Sequence, residues 1–294
     1  MRPFSHPSEE EFGRILDFYG VKWLYEPRSF PLRWEGDRVV EMFTPDFYLP
    51  ELDLYVELTT MRQSLVTDKN RKLRRIRELY PDTTIKLLYR RDFHRLLAKY
   101  GFGPLAEAEV RGIERVLLSK AQIERRVAEL GGTISRDYAG KAPILIGVLR
   151  GVFCFMADLM RQVSLPISVE FMSISYYHEG EEHQVRITKE PGLDITGRDV
   201  LLVEDIVDTG MTLNYLLRYL ADKQPASLKV CALLDKRVRR LMPVPVDYVG
   251  FEVPDEFLVG YGLDYLEKYR NLPFIGILRP GGGGQEGPEK GSPK

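Results

Sequence analysis

The sequence has little cysteine and little histidine, which limits the chemistry that it can carry. Its two cysteines, Cys154 and Cys231, stand far apart in apolar segments. Reduced, buried thiols in a cytoplasmic protein are the simplest interpretation. The four histidines show no ligand spacing with each other or with cysteine, so a zinc site is not expected.

The sequence also lacks a long apolar run, a signal peptide and a strong charge of one sign. No apolar run reaches the roughly 20 residues that a membrane-crossing helix needs, and the acidic stretch at 8–11 is unlike a signal peptide. The formal net charge is −1 and 44% of the residues are hydrophobic, which is typical of a globular chain and not of a polyanion coat. We therefore expect a cytoplasmic protein with no membrane partner.

Chain length and composition favour two domains and a tail. With 294 residues, the chain is longer than a usual single domain. We predict a smaller α/β domain at residues 1–105, a larger domain at 106–280 and a tail at 281–294. The tail begins with four glycines and continues with polar residues, so it cannot bury a core and is expected to be disordered.

The elements of the first domain are predicted from apolar periodicity and from Pro and Gly punctuation. Ser8 is expected to cap a helix that runs to Tyr19 and ends at Gly20. The other predicted elements are strands 23–25, 39–43 and 53–58, a basic helix 67–80, a strand 85–89 and a short helix 91–99, followed by a linker at 101–104.

Helical and apolar strand-like segments alternate in the second domain. We predict helices 113–130, 153–163 and 211–222, and strands 144–149, 167–174, 200–203, 228–234, 248–251 and 274–278. Gly131 and Gly132 are expected to end the first of these helices. The alternation predicts an α/β fold with a doubly wound, mostly parallel sheet covered by helices on both faces.

The stretch at 200–213, VLLVEDIVDTGMTL, carries the most information. Its first four residues are all apolar, which is typical of a strand that is buried on both faces of a parallel sheet. Two carboxylates, Glu204 and Asp205, follow at the strand's carboxyl end, where open α/β sheets bind their ligands. Gly210 then permits a tight turn into a helix that starts at about Met211.

The loop at 208–212 has the chemistry of a phosphate cradle. Backbone N–H groups and hydroxyls at a helix N-terminus bind phosphate, and neighbouring carboxylates accept hydrogen bonds from ribose hydroxyls or hold Mg²⁺. The combination indicates a sugar phosphate. The alternative is an ordinary strand, turn and helix whose acidic residues only solvate the loop. The stretch at 200–213 contains neither the G-x-x-x-x-G-K loop nor the G-x-G-x-x-G fingerprint.

This string of four apolar residues, two acids and an Asp-Thr-Gly-x-Thr loop resembles the phosphoribosyl pyrophosphate (PRPP) signature of type I phosphoribosyltransferases. The resemblance implies a twisted, mostly parallel sheet with helices on both faces and a base-binding hood. It also implies that the loop amides bind the 5′-phosphate and that the two acids hold the ribose hydroxyls, directly or through Mg²⁺. The implied PRPP-binding residues are Glu204, Asp205, Asp208, Thr209, Gly210, Met211 and Thr212.

A second motif, Leu149-Arg150-Gly151, ends another apolar strand and resembles the pyrophosphate-binding loop of hypoxanthine-guanine phosphoribosyltransferases. An arginine suits a polyanion through forked hydrogen bonds, and a glycine lets the backbone approach closely. By itself such a strand end would more often be only solvated. Arg270 matches a further pyrophosphate-binding arginine, and Asp264 matches a carboxylate on the Mg²⁺ side.

Two further motifs resemble the family's purine site. Leu-Leu-Asp-Lys at 233–236 places Lys236 where the family binds the 6-oxo group of the base. Lysine carries donors only, so it favours an oxo group over the amino group of adenine. Phe257 matches the ring that stacks on the purine, and Leu258 offers backbone contacts to the base. An exposed lysine at a strand end is the alternative for Lys236.

These motifs occur in the family's order over about 110–280 and resemble those of the bacterial hypoxanthine (hypoxanthine-guanine) phosphoribosyltransferases. The implied reaction is purine salvage: a 5-phosphoribosyl group passes from PRPP to N9 of hypoxanthine, or of guanine, and gives IMP or GMP and pyrophosphate. Asp208 is implied as the general base. Mg²⁺ is the implied cofactor, with Glu204, Asp205 and Asp264 as ligands. A homodimer or homotetramer is expected.

The segment 173–183, SISYYHEGEEH, occupies the position of the mobile loop that covers the site in this family. The family usually has Ser-Ser-Tyr here, whereas this chain has Ser175-Tyr176-Tyr177 and an acidic continuation. Tyr177 and Ser175 are therefore candidates for a lid that excludes water from the reaction. A plain polar surface loop is the alternative.

The first domain resembles the PD-(D/E)xK nuclease core, through Thr44-Pro45-Asp46 and then Leu54-Tyr-Val-Glu57-Leu-Thr59. In that core the acids bind Mg²⁺ and a lysine two residues after the glutamate activates water. Thr59 stands in the lysine position, which weakens that chemistry. Lys69 or Lys72 on the next helix could supply the charge. The favoured interpretation is a degenerate domain with a structural or partner-binding role.

The helix at 67–80 carries a basic stripe formed by Arg71, Lys72, Arg74, Arg75 and Arg77. Weak binding of nucleic acid through phosphate contacts is one hypothesis, and a solvated face paired with acids elsewhere is the commoner explanation.

For the whole chain, a salvage enzyme is the leading hypothesis. The alternative is a nucleotide-sensing regulator of the same fold with a nucleic-acid-binding or nuclease-like first domain.

Overall fold

The computed structural model describes residues 4–59, 63–89, 110–179 and 182–280. The N-terminal region contains α1 (Pro7–Phe18), β1 (Leu24–Tyr25), β2 (Phe30–Glu35), β3 (Arg38–Phe43), β4 (Phe47–Leu49), a 3-10 turn (Pro50–Leu52), β5 (Leu54–Thr59), α2 (Gln63–Leu79) and β6 (Thr84–Tyr89). Its main sheet has the strand order β1-β4-β5-β6, in which only β5 and β6 are parallel, and β2 pairs with β3 in a separate hairpin.

The start of α1 differs from the prediction, because His6 and not Ser8 is the N-cap residue. The His6 ring accepts the Ser8 N–H at 3.2 Å, and Glu9 Oε2 accepts the His6 N–H at 3.2 Å. Pro7 follows the cap, where a missing N–H costs nothing. Gly20 lies beyond the helix end at φ +62°, as predicted for a glycine that terminates a helix.

Strands β2 and β4 are missing from the sequence prediction. The pairing of β2 with β3 shifts register around Arg33, which breaks the two-residue alternation that identifies a strand. Strand β4 has only three residues and is followed by Pro50. It is too short for a periodic pattern to emerge.

The second region contains β7 (Val110–Leu118), α3 (Lys120–Asp137), β8 (Ile144–Leu149), α4 (Phe153–Gln162), β9 (Ser168–Glu179), β10 (Glu182–Lys189), β11 (Asp199–Val207), α5 (Met211–Ala221), β12 (Ser227–Asp235), a 3-10 turn (Arg237–Arg239), β13 (Tyr248–Glu252), β14 (Leu258–Val259) and β15 (Ile275–Pro280). Six strands form a sheet of order β10-β9-β8-β11-β12-β13. All neighbours in it are parallel except β10 and β9. The predicted doubly wound, mostly parallel sheet is therefore confirmed.

Both faces of this sheet are buried, as the continuous apolar strands predict. Leu201 and Val203 of β11 pack in a core cluster with α3 and α4. Val200 and Leu202, which alternate with them, pack in a second cluster with α5 on the other face. Both cysteines are free thiols, and Cys231 of β12 is buried in the first of these clusters as predicted, whereas Cys154 is only partly buried.

The predicted helix 113–130 is wrong in its first part, because β7 occupies residues up to Leu118 and α3 begins only at Lys120. Ser119 caps α3 in a box with Gln122, and β7 pairs with β15 in the antiparallel order β14-β15-β7. This small sheet is separate from the six-stranded one, so the predicted strand 274–278 does not extend the main sheet. The pairing partner of β7 is remote in sequence, which periodicity cannot reveal.

Gly131 and Gly132 lie inside α3, so the prediction that they end this helix is wrong. A Cβ on Gly131 would stand 2.4 Å from the Cβ of Gln162 in α4, whereas a Cβ on Gly132 would meet only Arg136 Nη1 at 3.7 Å. Gly131 is therefore a point of close helix packing and not a terminator.

The lid segment forms a hairpin of β9 and β10 and not a plain loop, with Ser175 opposite Arg186 and Tyr177 opposite Gln184. The side chains of Ser175 and Tyr177 lie outside the described part of the structure, so their role stays a prediction. The predicted helix 91–99, linker 101–104 and tail 281–294 also lie outside the described residues. No helix in the described ranges is long and apolar enough to cross a membrane.

Candidate active site

The carboxyl ends of β8, β11 and β12 open into a cavity of about 850 Å³. Parallel strands bring these ends to one edge of the sheet, so motifs that are far apart in sequence meet there. The predicted site residues that line this cavity are Arg150, Gly151, Glu204, Asp205, Asp208, Thr209, Gly210, Thr212, Lys236, Phe257, Leu258, Asp264 and Arg270.

Strand β11 is longer than predicted and continues through both carboxylates to Val207. Glu204 and Asp205 therefore lie within the strand and not after it. Asp205 faces the loop after β8 so closely that a Cβ on Gly151 would stand 1.6 Å from Asp205 Oδ2. Only glycine fits there, and it brings the Arg150 loop against the carboxylates.

The phosphate loop depends on Gly210, which caps α5 with φ +83°. A Cβ on Gly210 would also lie 2.7 Å from the carbonyl oxygen of Met242. The Thr209 carbonyl accepts the N–H groups of Leu241 and Met242 at 2.8 and 2.9 Å, which braces the loop from behind. Met211 turns its side chain into a hydrophobic core, so its predicted role is limited to its backbone N–H.

Asp208, at the start of this loop, has a charged partner on one side only. Arg239 Nη1 lies 3.6 Å from Asp208 Oδ2, and Arg239 also forms an ion pair with Asp255. Asp208 Oδ1 is buried and has no hydrogen-bond partner among the residues that the structure describes. A buried acceptor without a partner is costly, so this oxygen is suited to an N–H donor of a ligand.

The two arginines of the predicted pyrophosphate site share an anion, Glu267. Arg150 Nη1 and Arg270 Nη2 lie 3.0 and 3.2 Å from the same Glu267 Oε2. Arg270 also donates to the Gly262 carbonyl at 2.8 Å, while its Nε is buried with no acceptor among the described residues. The arrangement can bind a polyanion, and Glu267 occupies part of that charge.

The base end of the cavity is formed by Lys236 and the hood. The buried Lys236 Nζ donates to the Glu256 carbonyl at 2.7 Å, which ties the end of β12 to the hood. The Phe257 ring packs edge-on against Tyr265, with ring centroids 5.4 Å apart. Leu258 is buried, and β14 pairs it with Ile277. Lys236 is thus a buried cavity residue and not a solvated strand end.

The carboxylates of the cavity suit Mg²⁺ only together with a ligand. No group of three or more His, Cys, Asp or Glu side chains is arranged to hold a metal ion within the described ranges. Mg²⁺ typically takes one or two carboxylates together with water and substrate phosphates, which Glu204 and Asp205 can provide. Asp264 already pairs with Arg270 at 2.8 Å, so it can bind a metal only if that ion pair separates.

The sequence reasoning missed the residues that support the site from outside its motifs. Arg239 and Glu267 hold charged members of the site, and Glu256 contributes its backbone carbonyl. Ser173 and Thr188 also line the cavity. Ser173 begins the segment singled out as a lid, and Arg239, Glu256 and Glu267 each lie within three residues of a predicted site residue, but no residue type in the motifs points to their contacts.

The N-terminal region forms a separate cluster of Asp46, Glu57 and Lys69. Lys69 Nζ lies 2.5 Å from Glu57 Oε1 and donates to the Leu58 carbonyl at 2.8 Å. Asp46 Oδ2 accepts the Leu58 N–H at 2.6 Å. Burial, then the Glu57 carboxylate, raises the pKa of Asp46 from 3.8 to about 8. Lys69 therefore already supplies a positive charge to this acidic pair.

Of the two lysine candidates, the structure brings only Lys69 to this cluster. Lys72 lies 4.0 Å from Glu41 instead. Two arginines of the basic stripe are also paired, since Arg71 lies 2.6 Å from Glu41 and Arg75 lies 3.0 Å from Glu78. Three of the five stripe residues are thus paired with acids of the same domain.

Comparison with known proteins identifies the class of protein that this cavity defines. Residues 116–266 match the family described as phosphoribosyl transferase domain. The chain belongs to this family, and the predicted type I fold and phosphoribosyltransferase enzyme class are confirmed.

Similar proteins and solved structures indicate which members of this family the chain resembles. Hypoxanthine phosphoribosyltransferase of Haemophilus influenzae is 51% identical over 166 residues, which cover 55% of this chain and 93% of that protein. The bifunctional protein TilS/HprT of Listeria monocytogenes is 37% identical over 240 residues, 78% of this chain and 36% of that protein. A crystal structure of a hypoxanthine-guanine phosphoribosyltransferase from Bacillus anthracis is 43% identical, with a TM-score of 0.54, and the match covers 57% of this chain and 98% of that one.

Proposed function

We propose that the chain transfers a 5-phosphoribosyl group from PRPP to N9 of a 6-oxopurine, with hypoxanthine as the principal base and guanine as a second one. One observation carries the proposal: the phosphate loop, an acidic pair, a buried lysine and Asp208 all line one cavity. The similarity to hypoxanthine phosphoribosyltransferases supports the choice of base.

In this proposal PRPP lies along the edge of the sheet. The N–H groups of the loop at 208–212 bind the 5′-phosphate at the positive end of α5. Glu204 and Asp205 accept hydrogen bonds from the ribose hydroxyls or bind Mg²⁺. Arg150 and Arg270 neutralise the pyrophosphate, whose charge grows as it leaves. For that, both arginines must give up their shared contact with Glu267.

Mg²⁺ supplies a positive charge that stabilises the leaving pyrophosphate when it is bound. Glu204 and Asp205 would hold it together with oxygens of PRPP. Asp264 would join them only after it leaves Arg270.

The purine lies between the hood and the end of β12. Phe257 offers a ring for stacking, and Leu258 offers its backbone. Lys236 donates to the 6-oxo group, since an ammonium has donors only. The Glu256 carbonyl fixes one N–H of this ammonium and so orients the others.

Asp208 acts as the general base in this arrangement. Its Oδ1 is a buried acceptor without a partner among the described residues, and a purine ring N–H would satisfy it. Arg239 lies beside the other oxygen and orients the carboxylate.

We also propose the boundaries 1–105 and 106–280 for the two domains, a dimer or tetramer as the assembly, and the cytoplasm as the location. The separate sheets support the boundary, which falls in the segment between β6 and β7. Cytoplasmic PRPP and free purine bases are the substrates that this assignment requires.

Initial rates with PRPP, Mg²⁺ and each of four bases test the proposed function. Hypoxanthine and guanine should be converted to nucleotides, xanthine less well and adenine not at all, because Lys236 has no acceptor for an amino group. Specific binding of IMP without any turnover would instead favour the alternative, a nucleotide-sensing regulator. Faster turnover of adenine than of hypoxanthine would contradict the assignment of Lys236.

For the N-terminal domain we propose a structural role for Asp46, Glu57 and Lys69. Lys69 already neutralises Glu57, and Asp46 Oδ2 already accepts the Leu58 N–H. Calorimetric titration with Mg²⁺ and Mn²⁺ tests this role, with Glu57→Gln as the control. Without PRPP neither the wild type nor Glu57→Gln should take up metal, and metal uptake or cleavage of DNA or RNA that Glu57→Gln abolishes would contradict the proposal.

A further inference from the structure

A hydrogen bond links the N-terminal domain to the phosphate loop of the second domain. The hydroxyl of Tyr19, the C-cap residue of α1, lies 3.1 Å from the hydroxyl of Thr212. Tyr19 is 2% exposed, and Thr212 lines the cavity at the first turn of α5. Tyr19 itself does not line the cavity and therefore reaches the loop from behind.

The rest of the phosphate loop rests on the N-terminal domain as well. Met211, Leu241 and Met242 share one hydrophobic cluster with Phe12 and Leu16 of α1. Leu241 and Met242 are the residues whose N–H groups hold the Thr209 carbonyl. Lys86 of β6 donates to the carbonyl of Arg240, and the side chain of Arg240 donates to the carbonyl of Asp208 at 3.3 Å.

The hydrogen bond between Tyr19 and Thr212 affects phosphate binding through its direction. Each hydroxyl has one donor and can also accept. An ionised phosphate oxygen can only accept hydrogen bonds, so the Thr212 hydroxyl must donate its single hydrogen to the phosphate. The hydroxyl of Tyr19 then donates to Thr212, and a chain from tyrosine to threonine to phosphate results. Such chains strengthen each of their members.

We propose that Tyr19 is a positioning residue for the 5′-phosphate: the N-terminal domain orients the Thr212 hydroxyl and so completes the PRPP site from outside the phosphoribosyltransferase domain. The inference rests on the proposed function. It assigns the N-terminal domain a part in substrate binding that requires neither a metal nor a nucleic acid.

The comparison with a shorter relative sets the expected size of the effect. The Haemophilus influenzae protein is covered over 93% of its length by 55% of this chain, which leaves too little of it for an N-terminal region of this kind. A related enzyme thus lacks a counterpart of Tyr19, so the residue should tune affinity and not be essential. Loss of one neutral hydrogen bond corresponds to roughly three- to tenfold in a binding constant.

The test compares full-length Tyr19→Phe with the wild type and with Tyr25→Phe. Phenylalanine keeps the buried ring and removes only the hydroxyl. Tyr25 is a matched control in the same domain, because its ring packs in the same cluster while its hydroxyl donates to Glu9 at 2.7 Å, away from the loop. We expect Tyr19→Phe to raise KM for PRPP by roughly three- to tenfold, with kcat and KM for hypoxanthine unchanged.

Binding of IMP and of inosine separates a phosphate effect from general damage. The two ligands differ only in the 5′-phosphate. In calorimetry, Tyr19→Phe should raise the dissociation constant of IMP by roughly three- to tenfold and leave that of inosine unchanged. Because both ligands are measured on one preparation, the ratio of their dissociation constants does not depend on how much of the variant is folded. An unchanged ratio would overturn the proposal.

A double-mutant cycle tests whether Tyr19 acts through Thr212. Thr212→Val keeps the shape of the side chain and removes the hydroxyl. In that background Tyr19→Phe should no longer change the IMP-to-inosine ratio. The same loss in both backgrounds would refute the link. Turnover of hypoxanthine by the wild type is measured first, so failure of the proposed function is distinct from a Tyr19→Phe variant that behaves like the wild type.

Discussion

Arg239 holds one oxygen of Asp208 and leaves the other without a partner. The guanidinium Nη1 lies 3.6 Å from Asp208 Oδ2, whereas Oδ1 is buried with no hydrogen-bond partner in the described part of the chain. Arg239 is itself fixed by Asp255. The carboxylate is therefore oriented before any ligand arrives, at the start of the loop that lines the cavity.

Lys236 should determine which purines react. Replacement by glutamine removes a buried charged donor, so kcat/KM for hypoxanthine and guanine should fall by roughly 10- to 100-fold, with little change in KM for PRPP. Initial rates with each base provide the measurement. Lys141→Gln is the control, because Lys141 pairs with Asp199 at the opposite end of β11. Equal losses in both variants would remove Lys236 from the base site.

Glu267 should compete with pyrophosphate for the two arginines. Glu267→Gln removes the negative charge that Arg150 and Arg270 share, so the dissociation constant for pyrophosphate should fall by about two- to fivefold. The change is small because Glu267 is 61% exposed and water screens its contacts. Inhibition by pyrophosphate at several salt concentrations measures it. Weaker binding in the variant would show that Glu267 helps to hold the anion.

Gly131 and Gly132 provide a matched pair for the packing of α3 on α4. Gly131→Ala should destabilise the fold by roughly 1–3 kcal/mol, because the new methyl group would overlap Gln162. Gly132→Ala meets only an ordinary contact and should stabilise the helix by roughly 0.5–1 kcal/mol. Denaturant unfolding of both variants gives the comparison. Changes of the same sign would contradict the packing role of Gly131.

Asp46 should make the stability of the N-terminal domain depend on pH. Its pKa is about 8 in the folded protein, above the ordinary value of 3.8, so the folded state holds the extra proton between these pH values. The associated stability is present at low pH and is lost as pH rises through about 8. Asp46→Asn cannot ionise, so its melting temperature should rise relative to the wild type from pH 6 to pH 9.

Thermal melts across this pH range test the role of Asp46. The exposed Asp53, whose carboxylate accepts the Tyr48 hydroxyl at 2.9 Å, provides the control variant Asp53→Asn. Its difference from the wild type should not grow with pH. A constant difference for Asp46→Asn would show that Asp46 is ionised throughout.

The second domain is well predicted from the sequence because its site residues lie at the carboxyl ends of apolar strands. Arg150, Glu204 and Lys236 each follow or end an apolar run, and parallel strands place such ends together. Arg239 and Glu267 escape prediction, because their roles come from ion pairs that no motif or spacing encodes. Strand β7 escapes it for a similar reason, since its partner β15 lies at the other end of the domain.

The N-terminal domain is less predictable because its most informative contacts join the two domains. Tyr19 reads in the sequence as the apolar end of a helix, and only the fold places its hydroxyl beside Thr212. The sequence offers both Lys69 and Lys72 as substitutes for the lysine that Thr59 replaces. The packing of α2 brings Lys69 to Glu57 and Lys72 to Glu41.

The steady-state kcat of Asp208→Asn at saturating PRPP and hypoxanthine tests the account most directly. Asparagine keeps the shape of the side chain but cannot take the purine proton, so kcat should fall by roughly 100-fold or more. KM for PRPP should stay within about threefold of the wild type, because the loop amides remain in place. A kcat within about threefold of the wild type would contradict Asp208 as the general base and with it the catalytic arrangement proposed for this cavity.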